Sequence, residues 1–268
     1  MYLADYHTHS NCSPDGTVPM LEMARGAVKA GLSSLCITDH CDLLSLDGTQ
    51  RTLEYDWAPV MAQWLETAGQ YGKQLNLRLG LEFGMGHLDA SAAEKILRLP
   101  ELDFVIGAVH NLTEDKGGRD FYFLPYETES ACYDALDNYF DSMLLLAKSA
   151  CYDVLGHIIY PLRYMTGRYQ TPISLRRYEE QLREILRQAI NAGNGIEINT
   201  WKGQALVEWK PILQTYKELR GEIITVGSDA HAPEPIGFGV REAYLLMQDF
   251  GFRYVADYKG RKPAMIKL

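Results

Sequence analysis

Short apolar runs rich in β-branched residues alternate along this chain with longer amphipathic stretches, the rhythm of parallel α/β folds. The runs predict strands at Leu3–His7, Ser34–Thr38, Arg78–Glu82, Phe104–Val109, Val154–Gly156, Gly195–Asn199 and Ile223–Gly227. The stretches between them predict helices. Val18–Ala30 ends at Gly31, a residue suited to the left-handed turn that closes helices. Asp56–Tyr71 follows a polar turn, Ser91–Arg98 stops before Pro100, and Glu129–Lys148 is long and apolar on one face. Ser174–Ala192 opens on an N-cap serine and ends at Gly193. Pro211 is expected to break the pattern over Ala205–Leu219. A last helix over Val240–Asp249 precedes a tail, Phe252–Leu268, to which the pattern assigns no element.

Seven strands alternating with helices suit either a distorted (β/α)7 TIM-like barrel or a doubly wound open sheet. The polar residues choose between them. Nearly every strand ends in a side chain able to bind metal: His7, His40, Glu82, His110, His157 and Asp229, with Asn199-Thr200 ending the sixth. In a barrel these ends converge on one rim, where such folds build their sites, whereas an open sheet spreads them along an edge. Convergence favours the barrel. No fixed-period repeat and no Pro/Gly/Ser linker divides the chain, so residues 1–268 are expected to form one domain.

Composition narrows the partners. The 268 residues, 47% of them hydrophobic, can bury a sizeable core, and the net charge of −9 argues against a nucleic-acid partner. No apolar run is long enough to span a bilayer, and MYLADYHTHS lacks the regions of a signal peptide, so no membrane partner is expected. Five cysteines, odd in number and without a CxxC pair, fit scattered free thiols in a cytoplasmic protein.

The chemistry sits at the strand ends. His7 and His9 stand two residues apart, a spacing that turns both imidazoles to one side of a strand. TDH ends at His40, GLE at Glu82, AVH at His110 and GH at His157, while SDAH carries Asp229 and His231; Asp15 follows in the first loop. Six of the seven histidines fall at these places, and only His87 lies outside the pattern, where a loop role is expected. Imidazoles mixed with carboxylates suit Zn, Fe or Mn better than Mg or Ca. Nine candidate ligands are too many for one ion and comfortable for two or three sharing a bridging carboxylate. Such ions lower the pKa of bound water and offset the acidity of the chain, so that a phosphate can enter. No GxSxG elbow and no GxxxxGK[ST] loop is present, which leaves a metal-bound hydroxide as the nucleophile.

The ordered set HTHS, Asp15, TDH, GLE, AVH, GH and SDAH, running from His7 to about Gly251, resembles the polymerase-and-histidinol-phosphatase (PHP) superfamily. GIEINT at 195–200, TVGSDAH and Ile236–Gly239 look most like its non-haloacid histidinol-phosphatases. The resemblance implies a distorted (β/α)7 barrel with three divalent metal ions. His7, His9, Glu82 and Asp229 would hold the first. Glu82 would bridge to a second held by His110 and His157, and Asp15, His40 and His231 would hold the third. It also implies a small phosphorylated substrate, L-histidinol phosphate, attacked by a hydroxide between metals. Asp229 or His231 is then the candidate to protonate the leaving alkoxide. Arg163 resembles the family's phosphate-contacting arginine, and Arg119 is a second candidate. Asn199 and Thr200 are candidates to shape the pocket or contact the substrate, with capping of the strand end as the alternative, and the aromatic residues Phe121, Tyr122, Phe123 and Tyr126 to pack or form a lid.

One departure stands out. The family's GHID is Gly156-His157-Ile158-Ile159 here, so the groups behind His157 are expected to differ. The alternatives are a phosphoesterase for another small ester, an amidohydrolase-type C–N hydrolase, and a metal-bound scaffold without catalysis. No lysine stands at the end of the fourth strand, where amidohydrolases often carry a carboxylated one, and all nine ligand positions match. Both facts favour phosphoryl chemistry.

Overall fold

A computed structural model describes residues 1–51, 55–149, 151–167 and 173–268. Seven parallel strands follow one another around a single sheet: β1 (Ala4–Asp5), β2 (Ser34–Asp42), β3 (Asn76–Gly84), β4 (Phe104–Ala108), β5 (Val154–Leu155), β6 (Gly195–Asn199) and β7 (Ile224–Gly227). The edges meet. Thr8 pairs with Ala230, and Tyr6 N–H, His9 N–H and Asp229 N–H donate across the seam to Val226, Ala230 and His7 carbonyls at 2.8–2.9 Å. The sheet is therefore a closed, distorted barrel, as the convergence of the strand ends requires.

Alternation sorts the side chains. Leu35, Ile37, Leu79, Leu81, Ile196, Ile198, Ile224 and Val226 face outward into one apolar layer shared with the helices. Those helices are α1 (Met20–Lys29), α2 (Ala58–Tyr71), α3 (Ala90–Ile96), α4 (Glu129–Ser149), α5 (Leu162–Gly167), α6 (Glu179–Asn191), α7 (Trp209–Glu218) and α8 (Val240–Asp249). Ser174 caps a 3-10 turn, Leu175–Tyr178, that leads into α6. Pro211 does not break a helix: α7 begins at Trp209, so the proline lies in the first turn, where its missing N–H has no intrahelical partner to lose.

The tail without an assigned element is an antiparallel hairpin, β8 (Tyr254–Lys259) and β9 (Lys262–Lys267). Gly260 and Arg261 turn it with two successive positive φ values, 55° and 64°, the geometry a two-residue hairpin loop demands. Ala256 and Tyr258 close the lower end of the barrel against Ala4, Tyr6, Cys36, Phe104, Ile106 and Val154. Asp257 is buried there as a hub. It accepts from Tyr2 Oη at 2.5 Å, Tyr6 Oη at 2.8 Å, Ser34 Oγ at 3.2 Å and Arg78 Nη2 at 2.7 Å. Burial pushes its carboxyl up, but Tyr2, Arg78 and Tyr6 more than reverse this and hold it below its ordinary value.

Removing the hub takes this acceptor from the Arg78 guanidinium and the Tyr2 and Tyr6 hydroxyls, while Ser34 Oγ keeps the Asn76 carbonyl at 2.8 Å. Asp257→Ala is expected to cost about 3 kcal/mol, or roughly 8 °C in Tm for a chain of this size. A Tm within about 2 °C of the parent would show that the hairpin needs no anchor.

Candidate metal centre

The nine candidate ligands come together at the upper rim. Glu82, at the end of β3, lies at the middle. Its Oε2 is 3.3 Å from His7 Nε2, 3.5 Å from His9 Nε2 and 3.1 Å from His40 Nδ1. Its Oε1 is 2.6 Å from His157 Nε2 and 3.0 Å from His110 Nε2. Asp229 Oδ1 faces His7 and His9 at 3.7 and 3.6 Å, and Asp15 Oδ2 faces His231 and His40 at 3.0 and 3.6 Å. Three groupings close enough to hold an ion result: His7, His9 and Glu82; Glu82, His110 and His157; and His9, Asp15, His40 and His231. A fourth joins His40 and His110 to Asp42.

The donor set fits a metal by a second observation. The Nε2 atoms of His7 and His9 are buried without a hydrogen-bond partner, as is Nδ1 of His40. A buried ring nitrogen left unpaired costs free energy unless something else binds it. A divalent cation fits that role, because it would take the lone pair and answer the neighbouring carboxylates.

Residues that the sequence reading missed orient these rings. Glu197, on β6, lies 2.6 Å from His7 Nδ1 and accepts from His157 N–H at 2.9 Å. Asp42 lies 2.7 Å from His110 Nδ1, and Ser13 Oγ 3.1 Å from His9 Nδ1. Each occupies the nitrogen away from the centre and so directs the other one inward. Two glycines make room. A Cβ at Gly227 would meet His7 Cβ at 2.2 Å and Glu197 Oε1 at 2.6 Å, and one at Gly84 would meet Asp42 Oδ1 at 1.7 Å. His157 differs as its sequence context implies: Ile158 and Ile159 are buried, and Nδ1 of His157 has no partner among the described residues.

Five carboxylates among imidazoles, all but Asp15 buried or half-buried, dominate the electrostatics. Burial alone would push the Glu82 carboxyl up, yet His7, His110 and His40 hold it well below the usual carboxylate range. Asp229 is likewise held far down by His7 and Arg163 against its burial. Burial works against a charge on His110, but Glu82 and Asp42 overcome it and raise the ring to about 10. His7 and His40 also rise well above their ordinary value, by Glu197 and Glu82 acting against burial in the first and by Glu82 and Asp15 in the second. His9, buried beside His231 and His40, falls to about 3. The raised pKa values of His7, His40 and His110 offset part of this negative charge.

A cavity of about 860 Å³ opens above the cluster. Arg163, from α5, lines it with 8% of its surface exposed, donates to Asp229 Oδ2 at 2.7 Å and stacks over Tyr160 and Trp201 at 5.4 and 5.8 Å. Asn199 Nδ2 donates to the same Asp229 oxygen at 3.2 Å, while the Thr200 hydroxyl is turned away to the Phe238 carbonyl at 2.7 Å. Lys202 also lines the cavity, carried there by left-handed backbone at Trp201 and Lys202, with φ of 45° and 56°. Nothing in the sequence marked it beyond its place after the sixth strand. Arg119 is exposed over the Phe123 ring at 5.8 Å and does not line the cavity. Tyr122 and Phe123 do line it, whereas Phe121 and Tyr126 are core residues. His87 sits half-buried in a 3-10 turn outside the cluster, its pKa lowered to about 4 by burial.

A family model described as the PHP domain matches residues 5–201. Histidinol-phosphatase of Lactococcus lactis is 26% identical over 272 residues, which cover 96% of this chain and 95% of that protein. The fold is shared with histidinol phosphate phosphatase of Lactococcus lactis, whose crystal structure contains zinc, L-histidinol and phosphate. The TM-score is 0.80 at 24% identity, over 98% of both chains.

Protons and metal compete for the same nitrogens. In metal-free protein the His110 contribution to stability is complete below pH 6.5 and is lost as the pH rises through about 10. A bound ion needs that ring unprotonated. The gain in Tm on adding Zn²⁺ is therefore expected to grow as the pH is raised above 6.5, with protons released on loading, measurable by calorimetry in buffers of different ionisation enthalpy. A gain independent of pH would contradict this account.

Proposed function

Since this chain belongs to the PHP domain family, we propose that it is a phosphoric monoester hydrolase that converts L-histidinol phosphate to L-histidinol and phosphate in histidine biosynthesis. The observation that carries the reading is the junction at Asp229. One carboxylate oxygen faces the imidazoles of the metal centre while the other receives Arg163, so the ion site and the phosphate site share a residue. The near full-length likeness to a histidinol-phosphatase supports the choice of substrate.

In this reading the cluster holds three divalent ions, Zn, Fe or Mn. His7, His9, Glu82 and Asp229 would hold one, Glu82, His110 and His157 a second, and Asp15, His40 and His231 a third. When bound, the ions supply Lewis-acid charge and lower the pKa of a bound water toward 7. Three divalent ions carry six positive charges against the five carboxylates Asp15, Asp42, Glu82, Glu197 and Asp229. Arg163 and Lys202 raise the balance further, so the cavity of an acidic protein welcomes a phosphate.

The chain's own side chains divide the remaining work. Arg163 and Lys202 bind the ester's phosphoryl oxygens, and Tyr160 and Trp201 hold the guanidinium flat beneath them. Asn199 and Arg163 fix the Asp229 carboxylate. Because Asp229 is held ionised, it has no proton to give and serves to orient its neighbours, and His231 is the better candidate to return one to the leaving alkoxide. A small ester rather than a polyanion is favoured by the net charge of −9 and by catalytic groups set at the floor of a cavity. No helix among the described residues is long and apolar enough to cross a membrane.

Steady-state kinetics on histidinol phosphate beside a panel of unrelated phosphomonoesters, with and without chelator, tests the reading. Phosphate release should be fastest from histidinol phosphate and should vanish on chelation. An unrelated ester hydrolysed faster would change the substrate, and chelator-resistant turnover would remove the metal chemistry. Arg163→Ala is expected to lower kcat/KM by about 10²-fold, with Arg163→Lys recovering little because it lacks the planar fork. Unchanged kcat/KM would remove Arg163 from the site.

A further inference from the structure

Asp120 lines the same cavity but joins none of the metal-holding groups found among the described residues. It is only 4% exposed. Its described hydrogen bonds both fall on one oxygen: Oδ1 accepts Tyr122 N–H at 2.6 Å and Tyr160 Oη at 3.3 Å. Capping the turn Phe121–Phe123 accounts for Oδ1. It does not account for a charge. Serine or asparagine caps as well, whereas an enclosed carboxylate pays for desolvation unless a cation meets it. No arginine or lysine among the described residues pairs with Asp120.

Its surroundings say what that cation is. The Tyr160 ring lies 5.5 Å from the His110 ring and 4.9 Å from His157, and its hydroxyl reaches Asp120. Asp120 therefore stands one tyrosine ring away from the metal centre. Tyr122 packs edge-on against Phe123 at 4.9 Å and Tyr164 at 5.2 Å, and all three line the cavity with Asp120. Aromatic faces and a carboxylate together receive an organic cation. Arg163 and Lys202 supply the opposite polarity elsewhere in the same cavity.

We propose that Asp120 is a specificity-determining residue that receives a positively charged group, an ammonium or an imidazolium, on the leaving alcohol of the substrate. This rests on the phosphomonoesterase reading and adds that the enzyme selects its ester by the charge of the alcohol.

The test uses metal-loaded full-length protein and paired esters. 2-Aminoethyl phosphate is set against propyl phosphate, and 2-(imidazol-4-yl)ethyl phosphate against 2-phenylethyl phosphate. Asp120→Asn and Asp120→Ser both keep an acceptor for the turn and remove the charge. The cationic-to-neutral ratio of kcat/KM is expected to fall by roughly 10- to 100-fold in both variants, and the pair that loses more identifies ammonium or imidazolium. Equal losses on both members of each pair would assign Asp120 to the turn alone and overturn the proposal. Titration calorimetry with L-histidinol reads the same contact without turnover. The variants should bind it more weakly by a similar factor, and equal affinity overturns the proposal. If wild-type protein hydrolyses no ester, the proposed function fails, and the calorimetric comparison still decides Asp120.

Discussion

Negative charge gathered where water is scarce is the constraint on which this molecule depends. Glu82, Asp229, Glu197 and Asp42 converge with six imidazoles at the barrel's upper rim, and two of these carboxylates are almost wholly enclosed. Such a concentration is untenable without cations, because desolvation exceeds what neutral hydrogen bonds return. Protons on His7, His40 and His110 provide a makeshift answer. Divalent ions provide a better one, since each brings two charges to a point that several ligands already surround. The same excess that makes the empty cage uneasy makes the loaded one receptive to phosphate.

The lower end of the barrel serves that arrangement from a distance. A rim built from the ends of seven strands stays in register only if the strands cannot slide. Asp257 ties β8 to β2 and β3 and to the start of the chain, while Arg261 Nε reaches Asp153 at 2.6 Å, next to β5. Asp103 accepts the Gly260 N–H at 2.7 Å. The hairpin is thus fastened to several strands at the end opposite the chemistry, the usual division of labour in barrels of this kind.

Much of this was legible in the sequence, for identifiable reasons. The strands were readable because outward-facing Leu, Ile and Val recur at alternate positions, and the candidate ligands because few residue types can bind such ions and they fell at strand ends. The charged residues behind the ligands were not. Glu197 sits inside GIEIN and reads as a strand interior, and its partner His7 is 190 residues away. Asp42 became visible only because β2 runs on past His40 to pair with Gly84. The hairpin escaped because its apolar residues are few and its purpose, closing a barrel floor, is wholly non-local. The sequence singled out Arg163 as a candidate and passed over Lys202, since the left-handed turn at Trp201 and Lys202 leaves no mark on a loop whose glycine comes only at position 203.

Closure of the barrel and assembly of the site are one event. The Thr8–Ala230 pairing falls between His7 and His9 on one side of the seam and between Asp229 and His231 on the other. Asp229 takes a left-handed φ of 61° there, held by its N–H on the His7 carbonyl at 2.9 Å. A seam that opened would carry two pairs of ligands apart together, and an ion bound across it resists that opening by the full free energy of its coordination. The strain at Asp229 is sustained because the ladder, Asn199 and Arg163 all define the same position. A fold that closes on its own metal ligands in this way needs no separate device to keep the catalytic rim rigid, which leaves the loops above it free to choose the substrate.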